Sequence, residues 1–286
     1  MKEQSAILQG AAPPAAAGAS VRKAKRRPAR WSSVAPFLAF FAAWELFSRL
    51  NASVELFNPL FLPAPSVIAV NAWELAKTGI IVDSIVSSTI RIVEGFAIGT
   101  VAAIALGMLM SRFRHVETWM SPVLHLTGPI PALALLPLFI IWFGIGEFPK
   151  VLLIAWTTFI PMLTYTLDGL KSVNPLLIRS ATSLGASQRQ IFARVILPSA
   201  VPNILVGAQV GLGLAFSSLI VSEMMGAPNG LGYIIVDARN YFKISNMFVA
   251  IVLIGLEYSL FSFLLKLIER RVMSWRKGGI REALEK

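Results

Sequence analysis

Residues 87–110 read SSTIRIVEGFAIGTVAAIALGMLM, a run whose charged side chains are Arg91 and Glu94 alone. The hydrocarbon core of a bilayer is about 30 Å thick and takes about 20 largely apolar helical residues to cross. This run is long enough. Working outward, residues 34–50, 120–143, 151–167, 202–224 and 247–268 share its character, although the first is short. Over all 286 residues the chain is 56% hydrophobic and 14% charged, with mean hydropathy +0.69. Soluble domains carry roughly 25% charged residues, and no water-soluble core of this size hides so much apolar surface. Collagen, coiled coil, intrinsic disorder and a disulfide scaffold are excluded by the same composition. The reading is an all-α membrane protein with six transmembrane helices.

Residues 1–33 form a separate region. Residues 1–20 are rich in Ala, Gly, Pro and Ser and carry no helical period, which predicts a disordered tail. Arg22, Lys23, Lys25, Arg26, Arg27 and Arg30 follow, read as a topogenic flank rather than a nucleic-acid-binding arm. Asn51-Ala52-Ser53 makes a poor cleavage site, so the first span is expected to stay as an uncleaved anchor. Residues 34–286 then make one transmembrane domain. Its third span contains Pro122, Pro129, Pro131 and Pro137; such breaks are tolerated in a bundle where neighbours or water satisfy the freed backbone. Between the first two spans, Leu62-Pro63-Ala64-Pro65-Ser66 predicts an extended turn into an amphipathic surface helix over 67–77, with Ser66 as its N-cap.

Placing the N-terminus inside and crossing six times puts nineteen of the 26 Lys and Arg on the inner side. Six fall outside or near the outer ends: Arg49, Lys77, Arg91, Lys150, Arg239 and Lys243. Lys266 lies in the last span. This asymmetry follows the positive-inside rule and predicts that both termini are cytoplasmic. It also accounts for most of the net charge of +11.

One inner loop, residues 172–201, is much longer than the other. Pro175 suits a helix start and Gly185 a helix end, which predicts a short surface helix over 175–184 and a second helix climbing back to the membrane. The loop contains Arg179-Ser180-Ala181, then Leu184-Gly185-Ala186, and closes on Ile196-Leu197-Pro198. It resembles the coupling loop of the permeases of ATP-binding-cassette importers, whose pattern is Glu-Ala-Ala, three residues, Gly, and a hydrophobic stretch ending Leu-Pro. Arg179-Ser180 replaces the usual Glu-Ala. Further motifs agree in order: Leu62-Pro63-Ala64-Pro65-Ser66, Arg91 with Gly95-Phe96, Pro129-Ile130-Pro131-Ala132-Leu133, and Pro137-Leu138. Trp142-Phe143-Gly144-Ile145-Gly146-Glu147, Ser222-Glu223-Met224, Gly230-Leu231-Gly232-Tyr233 and Ile268-Glu269-Arg270-Arg271 with Trp275 complete the set. They are similar to the branch that carries aliphatic sulfonates, taurine and nitrate.

The resemblance implies the type I importer permease core in a bacterial inner membrane. It implies a second permease copy as a homodimer, two ATPase subunits that hold ATP and Mg, and an extracytoplasmic solute-binding protein. This chain itself would bind no cofactor. The residues implied for ATPase coupling are Arg179, Ser180, Ala181, Leu184, Gly185, Ala186, Ile196, Leu197 and Pro198, and the solute implied is a small anion.

Ionisable groups at membrane depth are costly and often functional. Arg91, Glu94, Glu223 and Glu257 are therefore the candidates for the substrate pathway. Arg91 and Glu94, three apart on one helix face, also suit an ion pair with each other. Gly207 and Gly211 make a small-residue face for close helix packing, within the subunit or at a dimer seam. His115 and His125 read as ordinary polar groups, not metal ligands. No phosphate-binding Gly-rich loop, His-Glu-x-x-His or Gly-x-Ser-x-Gly is present, so the chain is expected to be no enzyme. A stand-alone secondary transporter or channel is the rival reading, and would call for internal repeats or charged relays that the sequence lacks.

Overall fold

Small residues set how closely the central helices approach. In the computed structural model, which describes residues 31–274, helix α3 (Ile80–Arg112) lies along α6 (Glu147–Lys171), and α6 lies along α9 (Leu197–Gly226). Gly95, Gly99, Ala103 and Gly107 recur every four residues on the buried face of α3. A Cβ on Gly99 would sit 2.4 Å from the Ala155 carbonyl oxygen, and one on Gly95 would sit 2.5 Å from Ile154. Across α6 the same device recurs: a Cβ on Gly207 would sit 2.7 Å from Tyr165 Cβ. Gly207 and Gly211 thus pack within the subunit, against α6. Close backbone approach of this kind is how helices associate where lipid offers no hydrophobic drive. Ile92, Ile154, Leu212 and Phe216 fill one part of the resulting core, and Met110, Met162, Leu163 and Ala208 fill another.

The remaining elements are α1 (Trp31–Val54), α2 (Pro65–Lys77), α4 (Arg114–Thr127), α5 (Ala132–Phe143), α7 (Pro175–Ser183), α8 (Gln188–Ile191), α10 (Leu231–Asn240) and α11 (Ile244–Val272). Every regular element among the described residues is helical. Contacts divide the chain at residue 44. Before that point Phe40, Phe41 and Trp44 form a ring cluster along α1; from Glu45 onward the helices make one body.

Among the described residues, four helical stretches are long and apolar enough to cross a membrane: Ile80–Arg112, Glu147–Lys171, Gln188–Gly226 and Ile244–Val272. Their outer faces carry exposed Val82, Ile90 and Val101 on α3 and Leu256, Leu260 and Phe263 on α11, the surface expected of a chain solvated by lipid. The expected third span is two helices rather than one. Pro129 and Pro131 have no N–H and bias the preceding residues away from helix, so α4 ends at Thr127 and α5 begins afresh at Ala132.

Two local expectations need correcting or extending. Ser66 is not an N-cap: Pro65 takes the first helical turn of α2, where its missing N–H costs nothing, and Ala64 becomes the cap. Ser66 instead gives its hydroxyl to Glu45 Oε1 at 2.7 Å and its backbone N–H to Oε2 at 3.0 Å. The helix that climbs from the inner loop is continuous but contains a π turn, Phe192–Ile196, where Leu197 N–H reaches back to the Phe192 carbonyl. Pro198 explains it, because its ring would strike the Arg194 carbonyl in a regular helix and a wider turn relieves the clash. The basic flank from Arg22 to Arg30, the tail before it and Trp275 lie outside the described residues.

Candidate functional site

Two features stand at opposite ends of α6, a helix about 37 Å long for its 25 residues. At its C-terminal end Lys171 leads into α7. Asn174 caps α7 by accepting the Leu176 N–H at 2.9 Å, with Pro175 at the first position. The other end of α7 closes with two backbone bonds: Gly185 N–H to the Thr182 carbonyl at 2.9 Å, and Ala186 N–H to the Ala181 carbonyl at 3.1 Å. This pair is a Schellman closure, which needs a left-handed residue at the position of Gly185. Gly185 has φ +80° there. Ser187 then starts α8 with a reciprocal capping box to Gln190.

The spacing from Ala181 to Gly185 therefore has a mechanical meaning. Ala181 supplies the carbonyl that the turn closes on, and Gly185 supplies the backbone conformation that lets it close. The capped helix is rigid at both ends and displays its apolar side to solvent: Leu176, Leu177 and Leu184 are exposed, Leu184 at 88%. Arg179 and Ser180 are exposed beside them, while Ala181 and Ala186 are half-buried. Ile196, Leu197 and Pro198, also half-buried, lie where the π turn passes into α9.

At the N-terminal end of α6 lies a cluster of charges. Arg91, in the body of α3, is buried. Its Nε and Nη2 donate to the two Glu147 oxygens at 2.5 and 2.9 Å; its Nη1 donates to Glu223 Oε1 at 2.8 Å and to the Asn229 carbonyl at 3.0 Å. Nη2 also reaches Asn229 Oδ1 at 2.6 Å. All five guanidinium N–H groups are thus used, two of them in the bidentate fork that only arginine makes. The Arg91–Glu94 pair expected from helical spacing does not form. Glu94 lies on the exposed face of α3, and α6, α9 and the loop that follows α9 offer Arg91 better-placed acceptors.

Glu223 is fully buried and accepts three bonds: from Arg91, from Ser88 Oγ at 2.7 Å and from the Gly232 N–H at 2.8 Å. Ser88 Oγ in turn accepts the Leu231 N–H at 3.0 Å. The first turn of α10 is thereby satisfied by a carboxylate and a hydroxyl instead of water, the arrangement a helix N-terminus favours. Lys150, buried, donates to Glu147 at 3.0 Å. Two cations face two carboxylates, so the cluster is electrically closed and fastens α3, α6, α9 and α10 together. Ser88, Lys150 and Asn229 were invisible as members, since nothing local in the sequence points from one to another. Arg91, Glu147, Glu223, Gly230 and Gly232, by contrast, each sat inside a short motif.

Glu257 stands apart on α11. It is buried and accepts from Thr89 Oγ1 at 2.9 Å, and its second oxygen meets no partner among the described residues. His115 and His125 are exposed. Among the described residues no group of three His, Cys, Asp or Glu side chains is placed to hold a metal ion.

A bundle of apolar helices braced by buried charge at one end, and carrying a capped, solvent-facing helix at the other, defines a membrane-transport permease. Residues 95–274 match the binding-protein-dependent transport system inner membrane component family, and the chain belongs to that family: it is the permease component of an ATP-binding-cassette importer. It is 33% identical over 237 residues, 83% of its length and 84% of the other's, to a Bacillus subtilis protein provisionally named an aliphatic sulfonates transport permease, SsuC. It is 35% identical over 229 residues to the taurine transport system permease protein TauC of Escherichia coli, covering 78% of this chain and 83% of that one. The methionine transporter MetNI in an inward-facing conformation shares the fold, with a TM-score of 0.55 at 21% identity over 68% of this chain and 96% of that one.

Proposed function

We propose that this permease crosses the membrane six times with both termini in the cytoplasm, α1 and the broken α4–α5 pair supplying the two spans beyond the four long apolar stretches. It works as a homodimer with two ATPase subunits, which hold ATP and Mg, and takes solute from an external binding protein. The solute is a small organosulfonate anion of the taurine and alkanesulfonate class. The observation that carries the ATPase contact is α7: a helix capped at both ends that presents Leu176, Leu177 and Leu184 to solvent. Exposed apolar side chains flanked by Arg179 and Ser180 suit a groove on another protein. Supporting the orientation is the excess of Lys and Arg on the loops that include α7. Supporting the solute class are the names carried by the two permease relatives.

Nucleotide-driven closure of the ATPases then displaces α7, and the rigid turn at Gly185 passes that displacement to α9 and, through the small-residue packing, to α6 and α3. Because the two ends of the bundle are two faces of one braced body, the external side responds as a unit. The sequence has no cysteine, so Ser183→Cys places a single thiol on α7. Crosslinking from it in native membranes is expected to capture the ATPase, and labelling is expected only from the cytoplasmic side. Capture of nothing, or labelling from outside, overturns the assignment.

A further inference from the structure

Where α3 ends and the helix that continues into α9 begins, the protein frames a cavity of about 780 Å³. We propose that this cavity binds an anionic phospholipid of the inner leaflet, its phosphate held between Arg112 and Arg189. The choice of leaflet rests on the orientation proposed above.

The cavity gathers positive charge that the protein does not use. Arg112 lies in the last turn of α3 and Arg189 in the first turn of α8, so two elements far apart in the chain bring one guanidinium each to the same space. No Asp or Glu lines it. Among the described residues neither arginine forms an ion pair or donates a side-chain hydrogen bond, whereas Arg91 spends every donor it has. Arg112 lies 5.4 Å from the centre of the Phe113 ring, a contact that uses none of its N–H donors. Both forks remain whole, and a guanidinium fork matches the oxygens of a phosphate.

The rest of the lining decides which phosphate. Met108, Leu109, Phe113, Phe192 and Ile196 make most of the wall. A free phosphate ion gains nothing from such a wall, while the glycerol and first acyl carbons of a lipid do. Val101, Ala105 and Leu109 follow at four-residue intervals on α3, all exposed. They form an apolar track about 12 Å long that runs from membrane depth to Arg112. An acyl chain lies along this track with its phosphate at the arginines. Basic pockets between spanning helices at the cytoplasmic surface are where anionic headgroups dock. A lipid held there ties α3 to α8, and α8 begins three residues after Gly185, so the root of the inner loop is anchored to the bilayer.

The test uses the full-length permease co-purified with its ATPase in detergent, with phosphatidylglycerol and phosphatidylcholine as probes read by native mass spectrometry. Wild type is expected to retain phosphatidylglycerol in preference to phosphatidylcholine, and no preference overturns the site. Arg112→Gln combined with Arg189→Gln should weaken phosphatidylglycerol binding by roughly tenfold or more. Arg270→Gln combined with Arg271→Gln removes two exposed arginines from the last turn of α11 and should leave binding unchanged. Equal losses in the two pairs would show diffuse attraction to a basic surface and overturn the site. Loss of the ATPase from the Arg112–Arg189 variant with lipid binding intact would make the ATPase the occupant.

A second arm needs no variant. Phosphatidylglycerol should raise the melting temperature of the wild type, and excess inorganic phosphate should neither do so nor displace the lipid. Displacement by phosphate overturns the lipid as occupant. None of these measurements requires transport or sidedness, so they judge the site by itself. Labelling of Ser183→Cys from outside would overturn the orientation, and with it the leaflet, while leaving the lipid affinity intact.

Discussion

Arg91 and Glu223 stand 132 positions apart in the chain and meet at 2.8 Å, Arg91 with 4% of its side chain exposed and Glu223 with none. Burying both charges is costly, and the pair repays that cost only because further hydrogen bonds saturate each partner. Removing one partner leaves the other stranded. Arg91→Met is therefore expected to destabilise the protein by about 3–5 kcal/mol, seen as a large fall in melting temperature of the detergent-purified protein. Arg91→Lys should recover only part of the loss, because an ammonium cannot make the fork to Glu147. Glu147 is more than half exposed, and glutamine keeps one oxygen for the buried Arg91 and Lys150, so Glu147→Gln should cost less than Arg91→Met. Equal losses for Glu147→Gln and Arg91→Met would contradict this ordering.

Gly230 is held against the same carboxylate. It has φ +116°, and a Cβ there would lie 2.5 Å from the Glu223 carboxyl group. Gly230→Ala is expected to destabilise for two separable reasons, backbone strain and displacement of Glu223. Only the second depends on residue 223. In a double-mutant cycle, Gly230→Ala should cost less in a Glu223→Ala background than in the wild type, by an interaction energy of about 0.5–3 kcal/mol. Strict additivity would show that the turn and the carboxylate are independent.

Packing of α3 on α6 makes a sharper contrast between glycines. Gly99→Ala forces a methyl group to within 2.4 Å of the Ala155 carbonyl oxygen, whereas a Cβ on Gly255 would meet nothing within 4 Å. Gly99→Ala should push the helices apart and lower stability by about 1–3 kcal/mol or more, the range of core overpacking. Gly255→Ala should be neutral or stabilising by about 0.5–1 kcal/mol, since alanine loses less backbone entropy in a helix. Thermal denaturation of the two purified variants decides the matter, and Gly211→Ala, with its nearest contacts at 3.5 Å, is expected between them.

The difference between what was legible in the sequence and what was not follows the range of the physics involved. Membrane character, the long helices and α7 with its closing glycine all come from local composition, periodicity and turn chemistry. The Gly207–Gly211 face was visible by its spacing. The equivalent stripe of Gly95, Gly99, Ala103 and Gly107 carries the same four-residue signal, hidden within a run of other small apolar residues. The fate of Arg91 was not legible. Glu94 was its neighbour by helical spacing, but Glu147, Glu223 and Asn229 belong to other elements and only tertiary packing brings them there. Ser66 shows a local rule overridden by a stronger one, proline at the first helical position displacing the serine cap.

Gly185 offers the most direct test of the role proposed for α7, because its constraint is conformational and not steric. A Cβ at this position would meet nothing within 4 Å, while φ is +80°. Left-handed backbone costs an ordinary L-residue about 1–2 kcal/mol, with asparagine least penalised. Substitution should therefore leave the folded bundle in place and act on the turn that joins α7 to α8. Gly185→Asn is expected to transport nearly as well as wild type, Gly185→Ala to fall between, and Gly185→Val, whose branched side chain is least tolerant of positive φ, to transport least. In each case the ATPase should still co-purify and hydrolyse ATP, so that the ratio of solute moved to ATP consumed falls in that order. Measuring both quantities in proteoliposomes separates a loosened linkage from a lost partner. Transport by Gly185→Val at the wild-type ratio would show that the turn does not transmit the motion.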